Sequence, residues 1–268
     1  MYLKKIFIII ICFGYFLSTP ANAITESVLD RRAKNLPYEQ GQSVHDIVSN
    51  LTQDLTDDKD KARILASFMA YQFQRNGYAA RQSAEAARQN KPADTLPDNH
   101  LLKTRIGTAH EFAVLYQKLC QAAGIESIVI NGYAGKNIKS PDKNISPEVQ
   151  VLRTSMQQLT GLKDYRLQHY KSSWNAVKIN GSWILIDTYF MINGTATVGK
   201  NIKNFSEMER FLKQREHQGV KLRELTQGKS IDTNYFDAKP RQFIKTHYPL
   251  DSQWQLLPLP ISWHSFLN

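Results

Sequence analysis

Hydroxyl, imidazole and carboxylate side chains occur together in two short stretches of this chain, residues 104–113 and 167–189. A hydrolase needs these three groups when a hydroxyl attacks, an imidazole takes its proton and a carboxylate orients the imidazole. One hypothesis is therefore an active hydrolase with the following candidates: Thr108, Ser172 or Ser173 as nucleophile, His110 or His169 as base, and Asp187 as the orienting group.

Several of these candidates also have an ordinary structural role. Thr108 is followed three residues later by Glu111, which is the capping-box pattern of a helix N-terminus. His169 lies three residues before Ser172, so in a regular strand it would face the opposite side of the sheet. Asp187 could equally accept hydrogen bonds from backbone N–H groups of a strand or loop.

The helix predicted after Thr108 carries one apolar stripe and ends at Gly124. Cys120, which belongs to this stripe, is predicted to be a core residue, because a reactive thiolate needs an electropositive and partly open site. Ala109 is the first residue of the helix, where the helix dipole would lower the pKa of a thiol. Its methyl group can neither attack a substrate nor transfer a proton.

Asn180 and Gly181 predict a two-residue hairpin turn between strands at 174–179 and 182–188. In that register Ile179 faces Ser182, and counting back places four side chains on one side of the sheet: Ser172, Trp174, Asp187 and Tyr189. The Cβ atoms of Ser172 and Asp187 are then diagonal neighbours about 7 Å apart. A histidine at position 172 could span that gap, whereas a serine is too short.

The chain resembles the transglutaminase-like superfamily in three segments: Gly107-Thr108-Ala109-His110-Glu111-Phe112-Ala113, Ser172-Ser173-Trp174-Asn175-Ala176-Val177 and Trp183-Ile184-Leu185-Ile186-Asp187. The C-terminal part resembles the kyphoscoliosis-peptidase type of that superfamily in the following residues: Asn234-Tyr235-Phe236, Pro240, Phe243, His247, Pro249 and Trp254-Gln255-Leu256-Leu257. The resemblance implies an α+β, papain-like fold, in which N-terminal helices precede a core helix packed on an antiparallel sheet.

The same resemblance implies thiol acyl transfer, in which a cysteine thiolate attacks an amide and a histidine shuttles the proton. This chain departs from the family at both reacting positions, with Ala109 in place of the cysteine and Ser172 in place of the histidine. Only Asp187 remains of the triad. The resemblance therefore supports the fold and a cleft, but not the reaction.

We accordingly expect a non-catalytic protein that binds a peptide, a protein or a cell-envelope polymer in the former active-site cleft. The residues expected to contact the partner are His110, Trp174, Asp187 and Tyr189. Two alternatives remain open: the hydrolase with a relocated nucleophile, and a scaffold whose inserts and basic surface carry the contacts. A hydroxyl or thiol within hydrogen-bonding reach of an imidazole in the cleft would overturn the expectation of inertness.

The first 23 residues are typical of a secretory signal peptide, with Lys4 and Lys5 before an apolar stretch and Ala21-Asn22-Ala23 as a cleavage site. We therefore expect a secreted or periplasmic protein, with an uncleaved membrane anchor as the alternative. Residues 24–42 are expected to be extended. The transglutaminase-like domain is predicted to span 43–268, with inserts near 79–99, 136–168 and 199–230.

Other helices are predicted at 43–55, from Thr56 to about Asn76, and at 201–219, the last capped by Ser206 and Glu209. Residues 79–99 are expected to form a mobile connection with room for a helical turn. The net charge of +10 has no accompanying nucleic-acid motif, so a nucleic-acid partner is not expected. The seven histidines show no ligand spacing, and neither a metal nor a cofactor is predicted.

Overall fold

The structure, a computed structural model, describes residues 26–37, 42–92, 101–135, 138, 167–194 and 197–267. Its α-helices are α1 (Glu26–Asn35), α2 (Val44–Thr52), α3 (Asp58–Gln72), α4 (Gly77–Arg88), α5 (Leu101–Thr104), α6 (Ala109–Ala122), α7 (Phe205–Gln218), α8 (Leu222–Thr226), α9 (Pro240–Phe243) and α10 (Trp263–Leu267). Its strands are β1 (Gln74–Asn76), β2 (Ile106–Gly107), β3 (Ser127–Ala134), β4 (Lys171–Ile179), β5 (Ser182–Ile186), β6 (Ile192–Gly194), β7 (Thr197–Val198), β8 (Lys229–Ile231), β9 (Phe236–Ala238) and β10 (His247–Pro249).

This combination of helices with an antiparallel sheet confirms the predicted α+β class. The predicted signal peptide and nearly all of the predicted insert at 136–168 lie outside the described residues. Within the described ranges, no helix has both the length and the apolar composition that crossing a bilayer would require.

A five-stranded antiparallel sheet, in the order β10-β3-β4-β5-β9, forms the centre of the molecule. The predicted hairpin is confirmed, because Asn180 and Gly181 have positive φ angles of 50° and 81° and Ile179 pairs with Ser182. The pairing of β4 with β5 runs only as far as Asn175 and Ile186. Asp187 therefore begins the turn after β5 and is not part of the strand.

Alternation along β4 gives the sheet two buried faces. On one face, Val177 and Ile179 pack against the core formed with α1, α2, α3 and α6. On the other face, Trp174 and Ala176 pack against Phe243 and other residues near the C-terminus. The C-terminal part of the chain thus covers the face of the sheet that the helices leave open.

The expectation that residues 24–42 are extended is wrong for residues 26–35, which form α1. Its Leu29 and Ala33 are buried in the main core. Asp30 accepts hydrogen bonds from Arg63 and Ser67 on α3, at 2.9 and 2.5 Å for the closest contact with each. Because Asp30 and Arg63 lie 33 positions apart, no pattern within residues 24–42 indicates this ion pair. The segment was therefore predicted to be extended.

The other helices agree with the prediction except near their ends. The helix α3 is capped by Asp57 and not by Thr56, and it ends at Gln72, because residues 74–76 form β1. Asn76 instead caps α4, which occupies residues 79–88 of the expected mobile connection at 79–99. Residues 93–100 lie outside the described chain. The helix α7 is capped by Asn204 and not by Ser206.

Candidate functional site

The N-terminus of α6 is built as the sequence predicts. The Thr108 hydroxyl accepts from the Glu111 N–H at 3.4 Å, and the Glu111 carboxylate accepts from the Thr108 N–H at 2.7 Å. This capping box fixes the first turn, so Ala109 presents its methyl group at the start of the helix, half-buried. The hydroxyl of Thr108 is already used as a cap, which argues against its role as a nucleophile.

Ala109 and Ser172 line the same two cavities. The first, here called the cleft, has a volume of about 330 Å³ and is also lined by His110, Asn131, Lys171 and Ser173. The second, here called the side cavity, has about 250 Å³ and is also lined by His169 and Tyr189. The predicted meeting of the helix N-terminus with β4 is therefore present, and an opening lies between them.

Asp187 makes its contacts on the side of the sheet away from α6. Its Oδ2 atom lies 3.0 Å from Nε2 of His247, and its Oδ1 atom accepts from the Phe190 N–H at 2.8 Å. The Thr246 hydroxyl lies 2.7 Å from Nδ1 of His247. A hydrogen on Nε2 donates to the carboxylate, and the one hydrogen of the Thr246 hydroxyl is shared between Nδ1 at 2.7 Å and the Phe243 carbonyl at 3.3 Å.

The prediction that Trp174 and Asp187 contact a partner is wrong, since their exposed fractions are 1% and 0% and neither lines the cleft or the side cavity. The Trp174 ring instead packs edge-on against His247, with centroids 5.1 Å apart. Gly132 allows this packing, because a Cβ atom there would stand 2.4 Å from the Trp174 ring. The alternative interpretation, in which the Asp187 carboxylate accepts hydrogen bonds from backbone N–H groups, is confirmed by the hydrogen bond from the Phe190 N–H.

One hydroxyl of the cleft does lie beside an imidazole. The Oγ atom of Ser173 is 3.2 Å from Nδ1 of His110 and 2.8 Å from Oδ1 of Asn131, to which it donates. A serine hydroxyl has one hydrogen, so with that hydrogen on Asn131 the imidazole must donate to Ser173. That direction is the reverse of what a general base requires.

The same pair lacks the third member of a triad. No hydrogen bond joins Nε2 of His110 to another described residue, whereas a catalytic imidazole is held by an orienting group. Asp187 cannot serve, because His247 and Phe190 occupy its oxygens. Ser173 itself is only 5% exposed. Ser173 and His110, 63 positions apart, are one of the nucleophile–base combinations that the sequence left open, and the structure brings these two side chains into contact.

His169 and Tyr189 both face the side cavity. The expectation that His169 points away from Ser172 is wrong, because β4 begins only at Lys171 and His169 precedes it in a 3-10 turn. Tyr189 lines the side cavity between α6 and β4, and its contact with a partner stays a prediction. Burial raises the pKa of its hydroxyl, so the phenol is neutral at physiological pH.

Cys120 is a core residue, as predicted. It lies near the C-terminal end of α6, is 0% exposed, and has a thiol pKa raised to about 12 by burial. A thiol of that kind supplies almost no thiolate at neutral pH. Across the described residues, no three histidine, cysteine or carboxylate side chains are grouped in a way that could hold a metal ion.

A helix whose N-terminus faces an antiparallel sheet across a cleft, with a carboxylate at the end of the neighbouring strand, is the arrangement implied by the transglutaminase-like resemblance. A family model described as the transglutaminase-like superfamily matches residues 45–188, slightly more than half of the chain. The chain belongs to this superfamily.

The sequence of this chain is similar to parts of three larger proteins. Hillarin of Drosophila melanogaster is 27% identical over 240 residues, which cover 90% of this chain and 24% of that protein. Kyphoscoliosis peptidase of Mus musculus is 23% identical over 240 residues, which cover 90% of this chain and 28% of that protein. The Caenorhabditis elegans LIM and transglutaminase domain protein ltd-1 is 26% identical over 56% of this chain, but only 16% of that protein is covered. The chain thus spans about a quarter, or less, of the length of these relatives.

Proposed function

We propose that this chain is an exported transglutaminase-like protein without thiol acyl-transfer activity, whose cleft binds an extended segment of a partner protein. The observation that carries the proposal is the methyl group of Ala109, which heads α6 at the place where a nucleophile would stand. Acyl transfer by this fold needs a thiolate there, and Cys120 is buried near the other end of the helix.

The walls of the cleft suit a peptide backbone better than they suit a reaction. Asn131 and Ser172 offer amide and hydroxyl groups, which match the N–H and C=O groups of an extended chain. Lys171 is exposed at the same place, and none of the residues that line the cleft is acidic. A cell-envelope polymer with amide and carboxylate groups is the second class of partner that this lining accommodates.

The test is an assay of amide hydrolysis and of amine incorporation into glutamine peptides. The wild-type protein is expected to give no turnover, and the variant carrying both Ala109→Cys and Ser172→His is the matched control with a thiol and an imidazole in the cleft. Turnover by the wild type that disappears in an Ala109→Trp variant, which fills the cleft, would contradict the proposal.

A second candidate function is a hydrolase that uses Ser173, and the 3.2 Å contact with His110 is the observation that favours it. A fluorophosphonate probe, which labels activated serines, decides between the two. We expect no labelling of the folded wild-type protein. Labelling that is lost in both Ser173→Ala and His110→Ala would establish the hydrolase and overturn the binding function.

A further inference from the structure

A third and larger cavity of about 460 Å³ lies on the other side of His110 from the cleft. Its floor is formed by the following apolar side chains, and we call it the apolar pocket: Val44, Leu101, Leu102, Val114 and Leu115. Its volume falls within the range of cavities that hold ligands. Among the residues that line the cleft, Leu250 is the one aliphatic side chain larger than alanine, and the lining of the side cavity includes none.

The apolar pocket and the cleft are neighbours, because His110 lines both. From His110, two further residues of α6 line the pocket at intervals of four, Val114 and then Lys118. Residues four apart lie on the same face of a helix and are separated by about 6 Å along its axis. The row formed by His110, Val114 and Lys118 therefore leads from the cleft, past an apolar side chain, to an ammonium group.

An extended peptide has a matching repeat. Alternate side chains of a strand point to the same side at intervals of about 6.6 Å. In a segment lying along α6, the side chain of residue i would thus contact His110, that of residue i+2 Val114, and that of residue i+4 Lys118. The two repeats differ by less than 1 Å per step.

The charges on the rim favour an acidic side chain at the third position. Lys118 is exposed and has no ion-pair partner among the described residues. The other charged groups of the rim are Lys103, which pairs with Glu216 at 3.0 Å, and Glu111, whose carboxylate accepts the N–H of the cap residue Thr108 and keeps its negative charge. Lys118 lies seven residues along α6 from Glu111, so a ligand carboxylate at the third position would meet the Lys118 ammonium and not the Glu111 carboxylate.

We propose that the apolar pocket is a side-chain subsite of the cleft, which selects extended protein segments with a leucine-sized aliphatic residue two positions from the residue in the cleft and an acidic residue two positions further. This inference rests on the proposed function and adds the class of sequence that the cleft accepts. Burial of the aliphatic side chain supplies affinity, and the spacing of the three positions supplies specificity.

The experiment titrates the ¹⁵N-labelled protein with three blocked nonapeptides. The first is Glu-Ser-Leu-Ser-Gln-Ser-Leu-Ser-Glu, which has the same pattern in both directions, so that the orientation of binding does not matter. In the second, alanine replaces both leucines, and in the third, lysine replaces both glutamates. The first peptide is expected to bind about tenfold more tightly than the second, since losing a few buried methylene groups costs at least that factor.

Variants connect this preference to the pocket. Val114→Trp, which fills the pocket, is expected to reduce the leucine preference to less than twofold. Lys118→Gln is expected to abolish the preference for glutamate over lysine and to retain the preference for leucine, whereas Lys213→Gln on α7 changes neither. Because Lys118 is exposed, its variant keeps the test decisive even where Val114→Trp fails to fold.

The chemical shifts separate failure of the subsite from failure of the cleft. Equal binding of the leucine and alanine peptides, with shifts confined to the amides of Ala109 and Ser172, would overturn the subsite and leave the proposed function intact. Shifts around Val114 without shifts at Ala109 would overturn the continuous site. No shift at either place with any of the three peptides at millimolar concentration would contradict both proposals.

Discussion

Asp187 and His247 form a buried pair that joins the end of β5 to the start of β10 across 60 positions of the sequence, with Oδ2 and Nε2 separated by 3.0 Å. The His247 ring is also stacked on Phe243, with centroids 3.9 Å apart. The carboxylate at the end of β5 is therefore held by a histidine from the C-terminal part of the chain. The pair ties the C-terminal part of the chain to the sheet.

Removing His247 should destabilise the fold more than any surface change. His247→Ala leaves the Asp187 carboxylate buried without its partner, which typically costs about 3–5 kcal/mol. Urea unfolding measures the change, and His217→Ala on the exposed face of α7 is the control, with an expected change within about 0.5 kcal/mol. A loss below about 1 kcal/mol for His247→Ala would contradict a structural role for the pair.

The attachment of α1 to α3 should depend on Asp30. Asp30→Ala leaves Arg63, which is 2% exposed, without its carboxylate and should cost about 3–5 kcal/mol. The matched control is Asp54→Ala, which breaks the Arg32–Asp54 pair. The Asp54 side chain is 58% exposed, so its loss should cost less than about 1 kcal/mol.

Limited trypsin digestion provides a second measurement of the same prediction. When α1 detaches, cleavage after the basic residues of this helix should become much faster, because proteases need an unfolded segment. Equal digestion of α1 in Asp30→Ala and Asp54→Ala would show that the ion pair with α3 does not hold the helix.

The two ends of α6 should differ sharply in thiol reactivity. Wild-type Cys120, with a pKa of about 12 and no exposed surface, should not react with iodoacetamide at pH 7 until the protein unfolds. Ala109→Cys should react readily, because the helix N-terminus favours a thiolate and the position is half-buried beside the cleft. Mass spectrometry identifies the alkylated residue, and rapid labelling of native Cys120 would contradict its position in the core.

The stability of the protein should rise with pH through Lys229. Its ammonium group donates to the carbonyls of Ala70, Tyr71 and Phe73, but burial, together with the charges of Arg75 and Arg215, lowers its pKa to about 7. The unfolded chain, in which a lysine has a pKa of about 10.4, binds a proton between these two values that the folded chain does not bind. Stability therefore increases with pH above 7, by at most about 1.4 kcal/mol per pH unit from this residue.

Urea unfolding at several pH values between 7 and 9 tests this dependence, in a range that lies below the ionisation of most tyrosines. The comparison is between the wild type and Lys229→Met, which has no titrating group at this position. The free energy of unfolding of the wild type should rise more steeply with pH than that of the variant. Equal slopes would show that Lys229 has an ordinary pKa.

The parts of the fold that the sequence predicted are those with local signatures. The cap Thr108 and the apolar stripe of the following helix predicted α6, and the turn at Asn180 and Gly181 predicted both the β4–β5 hairpin and its register. The predicted ends of the helices were wrong where the local signature allowed more than one cap residue. Thr56 and Asp57 are both good cap residues, and the choice between them depends on which N–H group the folded chain brings within reach.

The helix α1 and the environment of Asp187 were not predictable from local patterns. Each depends on a side chain far away in the sequence, Arg63 for the first and His247 for the second. The register of β4 and β5 placed Trp174 and Asp187 on one side of the sheet, and their shared contact with His247 agrees with that placement. The register of the hairpin carried no information on whether that side of the sheet is exposed to solvent or covered by other residues.

The sequence by itself determined that a helix begins at the methyl group of Ala109, because the capping pattern and the residue identity at this position are local. Only the tertiary structure decided which side chains face the cleft. Trp174 and Asp187 are covered by the C-terminal part of the chain, while Ser173 is brought beside His110 and the apolar pocket opens along α6. Burial and contact across a sheet depend on what packs on each face, and that is settled by residues distant in the sequence.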